Sequence, residues 1–379
     1  MLIREFLEDN EKKGLGPWAL KSSNSKGREF PEDKHLLRTD YQRDRDRIIY
    51  STAFRRLEAK TQVFANHEGD NFRTRLTHTI EVANLSRTLA RALHLNEDFS
   101  ECLALVHDIG HPPFGHCGEE VLNELMENYG GFEHNEQTYR LVTILEKSND
   151  QFSGLNLTKE VLEAILQHTK QYKKRYPNSK TAYLETQLVS LTDEMAYDAH
   201  DLEDGLSSGL LDENEVLELS IMENLIENSE FKRLKDKALR KKMLLRHVLN
   251  SMVVDFTEQS DKVLNEKQYK TPEEARDAEQ SPLRFSFKIA EQKTELEVFL
   301  KERMYLHPTV RKMMHKASDF MHQLFKHFKK FPEELPLEYQ SHFKKFGKER
   351  VITDYLSSMT DRSLQEEYTK LFMPFQKML

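Results

Sequence analysis

Between residues 74 and 94 the apolar side chains Val82, Leu85, Leu89 and Leu93 recur every three or four positions, the period of a helix with one buried face. His78 lies one turn before Val82 on that face, so its imidazole is directed inward. The same period returns in Phe99, Cys102, Leu103 and Val106. Gly110, Pro112 and Pro113 must then end the helix expected over 97–108, because proline has no amide hydrogen and clashes with the preceding turn. His107 and Asp108 therefore close that helix. A third stripe, Leu184, Leu188, Leu191 and Met195, runs through 182–202, and Asp193, Tyr197 and Asp201 repeat every four residues along its flank. Further amphipathic helices are expected over 209–250 and 294–329. With only 13 Gly and 11 Pro in 379 residues and little alternation of β-branched residues, the stripes predict an all-α fold.

Composition narrows the functional class. Hydrophobic residues make up 38% of the chain and charged residues 32%, enough for a core beneath a solvated surface. The opening MLIREFLEDN carries Arg4, Glu5, Glu8 and Asp9 where a secretion signal needs an apolar run. No apolar stretch of about 18 residues occurs, so a cytoplasmic protein without membrane contact is expected. The two cysteines, Cys102 and Cys117, supply neither a disulfide framework nor a CxxC pair, and any metal must rest on histidine and carboxylate. A net charge of −8 argues against a surface that binds duplex DNA throughout. Basic stretches at 232–242 and 326–350 leave single-stranded nucleic acid as a minor candidate partner, beside a subunit contact. The polar stretch 258–283, broken at Thr271-Pro272 and Ser281-Pro282, reads as an exposed connection. It separates a C-terminal helical lobe over 258–379 from the preceding chain, in which the resemblance given below implies an N-terminal arm over 1–37 and a core over 38–257.

His107 and Asp108 at a helix end, His78 from the helix before and Asp193 from a later one would make a nitrogen and oxygen donor set suited to Mg, Mn, Fe or Zn. A carboxylate on an otherwise apolar helix is costly unless paired or bound to a cation. The His-Asp dipeptide alone is weak evidence, because a chain with 16 histidines repeats it at His200-Asp201. The context decides: RLTH at 75–78, HDIGHPPFGHCGE at 107–119, FEHN at 132–135 and DEMAYDAHD at 193–201.

Together with RTDYQRDRDRIIYSTAFRRLEAKTQVF at 38–64, these segments resemble the HD-domain superfamily and, within it, the deoxyguanosine triphosphate triphosphohydrolase-like family. The likeness is specific over about 38–210 and diffuse after about 255. It implies an HD-type catalytic domain over 38–257, with His78, His107, Asp108 and Asp193 as ligands of a divalent metal ion. It assigns His111, His116 and His134 to the α-phosphate and to catalysis, with Glu119 orienting a catalytic histidine. Arg75 would grip phosphate, Gln62 and Asp201 would hydrogen-bond the sugar 3′-hydroxyl, and Tyr197 would pack against the deoxyribose. His116, kept protonated by Glu119, is the expected general acid. One departure is Glu194, which stands where the vertebrate member has a phosphate-binding lysine. The implied activity is metal-dependent hydrolysis of deoxynucleoside triphosphates to deoxynucleoside and inorganic triphosphate, by a homo-oligomer that is commonly hexameric. The alternative is another HD phosphohydrolase acting on nucleoside monophosphates, cyclic nucleotides or guanosine polyphosphates.

Overall fold

The computed structural model describes residues 3–62, 73–177 and 181–373. The first two residues of the expected arm, Val63 and Phe64 of the 38–64 segment, and the last six residues of the expected lobe lie outside the described residues. Among the described residues there is no β-strand, only isolated bridges such as Thr61 to Thr74.

The helices begin where the sequence supplies caps. After α1 (Ile3–Gly14), α2 (Asp40–Ile49) starts at a capping box in which the Thr39 side chain accepts from the Gln42 amide. Helix α3 (Arg75–Ala92) is capped by Thr74 and α4 (Glu97–Val106) by Asn96. Helices α5 (Gly115–Leu125), α6 (His134–Arg140) and α7 (Lys159–Leu166) follow. Then comes the long α8 (Leu184–Ser208), which ends at Gly209 with φ +74. The expected helices at 74–94, 97–108 and 182–202 are α3, α4 and α8.

The region 209–250 holds three short helices, Glu213–Leu217, Glu223–Glu227 and Ser229–Arg233, before α9 (Lys237–Lys267). The region 294–329 holds most of α10 (Phe287–Leu300) and of α11 (Pro308–Lys330), joined by a widened turn at Lys301–Tyr305. Helices α12 (Lys348–Ser358) and α13 (Asp361–Phe372) complete the described chain. The stretch 258–283 is not the exposed connection that its polarity suggests. Helix α9 continues through it to Lys267, and Val263, Leu264, Tyr269, Ala275 and Leu283 are buried. Its solvent face is polar, and that composition hides the narrow apolar stripe opposite.

Three apolar clusters organise the helices. Leu89, Leu188, Met195, Phe256 and Leu296 bring α3, α8, α9 and α10 together. Val82, Phe99, Val106, Ile165 and Ala196 bring α3, α4, α7 and α8 together. Leu122, Met321, Phe325, Phe328 and Ile352 bind α5 to α11 and α12. Each buried Leu or Phe contributes roughly 1.5–3 kcal/mol. Because α8 gives Met195 to the first cluster and Ala196 to the second, it is wedged between them. The flank left over carries Asp193, Tyr197 and Asp201 to the seam where α3, the 107–114 loop, α5 and α6 meet. Among the described residues no helix is long and apolar enough to cross a membrane.

Candidate active site

Four side chains from three segments converge at this seam. His78 Nε2 lies 2.9 Å from Asp193 Oδ1, and His107 Nε2 lies 3.4 Å from Asp108 Oδ1 and 3.5 Å from Asp193 Oδ1. One donor atom each from His78, His107 and Asp108 falls within 4.8 Å of the others. The Nδ1 of His107 donates to the Ala104 carbonyl at 2.6 Å, which leaves Nε2 as the nitrogen turned toward the cluster. That Nε2 is buried and has no hydrogen-bond partner. Burial opposes charge on the His107 ring, yet Asp108 and Asp193 outweigh it and push its pKa up to about 9. Burial likewise opposes ionisation of the two aspartates, but the neighbouring histidines, with Arg75 beside Asp108, hold both well below the usual carboxylate range. Two ionised carboxylates, Asp108 buried and Asp193 partly exposed, set among imidazole nitrogens that can give up a proton fit a divalent cation.

Behind His78 runs a chain that sequence reading missed. His78 Nδ1 is 3.1 Å from His200 Nδ1, and His200 Nε2 is 2.6 Å from Glu81. Arg73 steadies Glu81 at 2.9 Å and Glu203 at 2.6 Å. The sequence does carry a signal, for His200 belongs to the second His-Asp dipeptide, which in a chain with 16 histidines looks like a chance repeat.

On the other side of the cluster Arg75, only 2% exposed, donates to Asp108 Oδ2 at 2.9 Å. His111 Nδ1 sits 3.0 Å from Asp108 Oδ1, and its ring stacks on His134 at 3.9 Å between centroids. The loop is drawn against α6 at Gly110, where a Cβ would lie 2.2 Å from the His134 carbonyl oxygen. Gly115 adopts φ +56, and a Cβ there would meet the Arg75 guanidinium at 2.7 Å.

This packing changes the expected partner of Glu119. Its Oε1 accepts from the His134 amide at 2.9 Å and lies 3.0 Å from His134 Nδ1, whereas His116 Nδ1 stands 3.9 Å away on a side chain 57% exposed. Glu119 therefore orients His134 more closely than His116. Burial would raise Glu119, but His116 and His134 hold it well below the carboxylate range. Burial disfavours the charged form of His134, yet Glu119 raises it above the ordinary histidine value. His111 moves the opposite way: burial, Arg75 and His134 keep it well below that value, so it is neutral near pH 7.

The remaining sequence-derived residues lie on the α8 side. The Tyr197 hydroxyl meets that of Tyr305, which hydrogen-bonds Asp201 Oδ2. Tyr305 comes from the turn before α11 and was not anticipated. Asp201 Oδ1 and Gln62 Oε1 are both buried without a hydrogen-bond partner. A pocket of about 320 Å³ lined by His116, Asp193, Tyr197, Asp201 and Tyr305 opens on one side of Asp193. A cavity of about 370 Å³ lined by Val106, His107, His134, Ile165 and Val189 opens on the other. Glu194 faces Lys293 of α10 at 3.2 Å, so a buried lysine approaches the position where the sequence lacks one.

Residues 75–198 match the HD domain model, and residues 283–370 match that of a phosphohydrolase-associated domain. The deoxyguanosinetriphosphate triphosphohydrolase-like protein of Nitrosomonas europaea is 42% identical over 369 residues, covering 94% of this chain and 98% of that protein. Its counterpart in Geobacter sulfurreducens is 39% identical over 384 residues and covers both chains completely. The protein of the same name in Leptospira interrogans is 39% identical over 379 residues, covering 97% of this chain and 99% of its own. With likeness at this level running from end to end, the chain belongs to the deoxyguanosinetriphosphate triphosphohydrolase-like family of HD-domain proteins.

Proposed function

We propose that this chain is a divalent-metal-dependent phosphohydrolase that splits deoxynucleoside triphosphates into deoxynucleoside and inorganic triphosphate. The observation that carries this reading is the contact of a two-histidine, two-aspartate cluster with the stacked His111–His134 pair and with Arg75. A cation held by His78, His107, Asp108 and Asp193 supplies Lewis acidity, which neutralises phosphate charge and makes water a better nucleophile.

The chain's own groups supply the rest. Arg75 commits one nitrogen to Asp108, while its buried Nε has no partner and suits a phosphate oxygen. His111, neutral at its buried position, offers an uncharged hydrogen-bonding edge to the same group. His134, paired with ionised Glu119, is positioned as an imidazolium that can give a proton to the leaving 5′-oxygen. His116, more exposed at the pocket mouth, stands as the second candidate for that proton. Asp201 Oδ1 and Gln62 Oε1 are acceptors without donors, and the resemblance assigns them the sugar 3′-hydroxyl. Under this reading the enzyme is cytoplasmic and homo-oligomeric.

The test is incubation of the purified protein with Mg or Mn and a panel of deoxy- and ribonucleoside triphosphates, monophosphates, cyclic nucleotides and guanosine polyphosphates. Chromatography should show deoxynucleoside and inorganic triphosphate from the deoxynucleoside triphosphates. Turnover confined to monophosphates, cyclic nucleotides or guanosine polyphosphates would replace this reading with the alternative.

A further inference from the structure

The end of α12 and the start of α13 lie more than 200 residues along the chain from Gln62, the His111–His116 loop and His134, yet all three stretches are tied to them. Asp361, 3% exposed, accepts from the Thr61 amide at 2.9 Å and from the Thr61 hydroxyl through Oδ2, and from the Phe114 amide at 3.0 Å through Oδ1. Lys60, 2% exposed, donates to the carbonyls of His111 and Ser357. Asp354, 1% exposed, accepts from Gln137 at 3.1 Å and from Arg140 at 3.0 Å, both on the helix that starts at His134. The stretches carrying Gln62, the His111–His116 loop and His134 thus share one support.

Phe114 shows why the loop needs it. Its φ of +62 is left-handed, a conformation that a bulky side chain holds only when its surroundings enforce it. Asp361 holds the amide of that residue, and with its other oxygen it holds the residue before Gln62. Three donors converge on this side chain, and only a group with two acceptor oxygens receives them all. An asparagine of the same shape offers one acceptor, and its amino group would face an N–H or O–H donor.

We propose that Asp361 is a positioning residue, through which the C-terminal lobe sets the geometry of the His111–His116 loop against Gln62. The proposal rests on the functional reading above for its kinetic consequence but not for its structural one. Asp361 touches none of the four metal-binding side chains, so it acts on the loop and leaves metal affinity alone.

The experiment compares the full-length wild type with Asp361→Asn by amide hydrogen exchange, manganese calorimetry and steady-state kinetics. Exchange at Thr61 and Phe114 should quicken while α3 and α8 stay protected, the metal affinity should hold, and kcat should fall roughly 10- to 100-fold, as expected for a reacting group displaced by about 1 Å. If Asp361→Asn does not fold, Thr61→Val removes one of the three donors, and the same local quickening with a smaller loss of kcat is expected. Unchanged exchange at Phe114, or a kcat within twofold of wild type, overturns the proposal. If the wild type turns over no nucleotide, the functional reading fails, and local exchange alone still decides whether Asp361 positions the loop.

Discussion

The Nδ1 atoms of His78 and His200 lie 3.1 Å apart, so only one of them carries the hydrogen between the rings. His200 presents Nε2 to the Glu81 carboxylate at 2.6 Å and must carry a hydrogen there. Its neutral Nδ1 is then an acceptor and His78 Nδ1 is the donor, so His78 Nε2, 2.9 Å from Asp193 Oδ1, is the nitrogen left for the cluster, where a bound cation would replace its hydrogen. Glu81 and His200 thus set the form of His78 that can ligate a cation. His200→Ala should weaken manganese affinity by about 10- to 100-fold, the usual effect of losing a partner behind a ligand. Titration calorimetry on the apoprotein reads this without any substrate, and an unchanged affinity would remove His200 from the metal centre.

Glu119 holds His134 at 3.0 Å and His116 at 3.9 Å, and the two histidines should separate on mutation. His134→Gln should lower kcat by roughly 10²–10⁴ with full metal content, the range lost with a general acid. His116→Ala should cost less. The acid must be protonated, and the pKa of His134 is raised, so activity is full below that pKa and declines as pH rises through it. Glu119→Gln removes the cause of the elevation and should move the alkaline limb of kcat to lower pH. A limb that stays in place would show that another group delivers the proton.

Glu185 at the start of α8 is a stability switch of definite sign. It is fully buried, accepts from the Leu20 and Asn96 amides at 2.9 and 3.2 Å, and burial raises its pKa to about 7. The folded protein therefore holds this proton more tightly than the unfolded chain. Glu185 costs nothing below the unfolded value near 4.5, and its penalty grows as pH rises to about 7, reaching on the order of 3 kcal/mol. Glu185→Gln keeps an acceptor for both amides and loses the charge. Calorimetric Tm at pH 8 should exceed that of wild type by a few degrees, and the difference should vanish near pH 4.5. A lower Tm at pH 8 would mean that the carboxylate is stabilised by something other than those two amides.

The helices α3, α4 and α8 were legible because each carries one apolar stripe, and the metal-type cluster was legible because its four members sit at the inward or terminal positions of those stripes. What the stripe conceals was missed. Helix α9 runs on to Lys267 beneath a polar outer face, with only positions such as Ser260, Val263 and Leu264 turned inward. Glu119 lies one helical turn after His116, and local spacing pairs those two. The approach of α6 over Gly110, a tertiary event, brings Glu119 to His134 instead. Tyr305, Lys293 and Asp361 reach their partners from 95 residues or more along the chain, where no spacing rule connects them.

The bond that breaks is the sharpest prediction. Arg75, His111 and His134 surround one face of the Asp108 carboxylate, beside the metal-type cluster, and Tyr197 and Asp201, proposed above to hold the sugar, lie one and two turns along α8 from Asp193. A nucleotide whose sugar contacts Asp201 would therefore present its α-phosphorus, not its γ-phosphorus, to the cluster. Attack of water there, with a proton given to the 5′-oxygen, releases triphosphate as one unit and leaves the nucleoside with its original oxygen. In ¹⁸O-labelled water the label should enter inorganic triphosphate and be absent from the deoxynucleoside, with no pyrophosphate formed. Mass spectrometry of both products distinguishes this from pyrophosphohydrolase chemistry, which would yield deoxynucleoside monophosphate and pyrophosphate. Deoxynucleoside monophosphate as the first product would mean that the substrate lies in the opposite direction across Asp193, with its outer phosphates at His134.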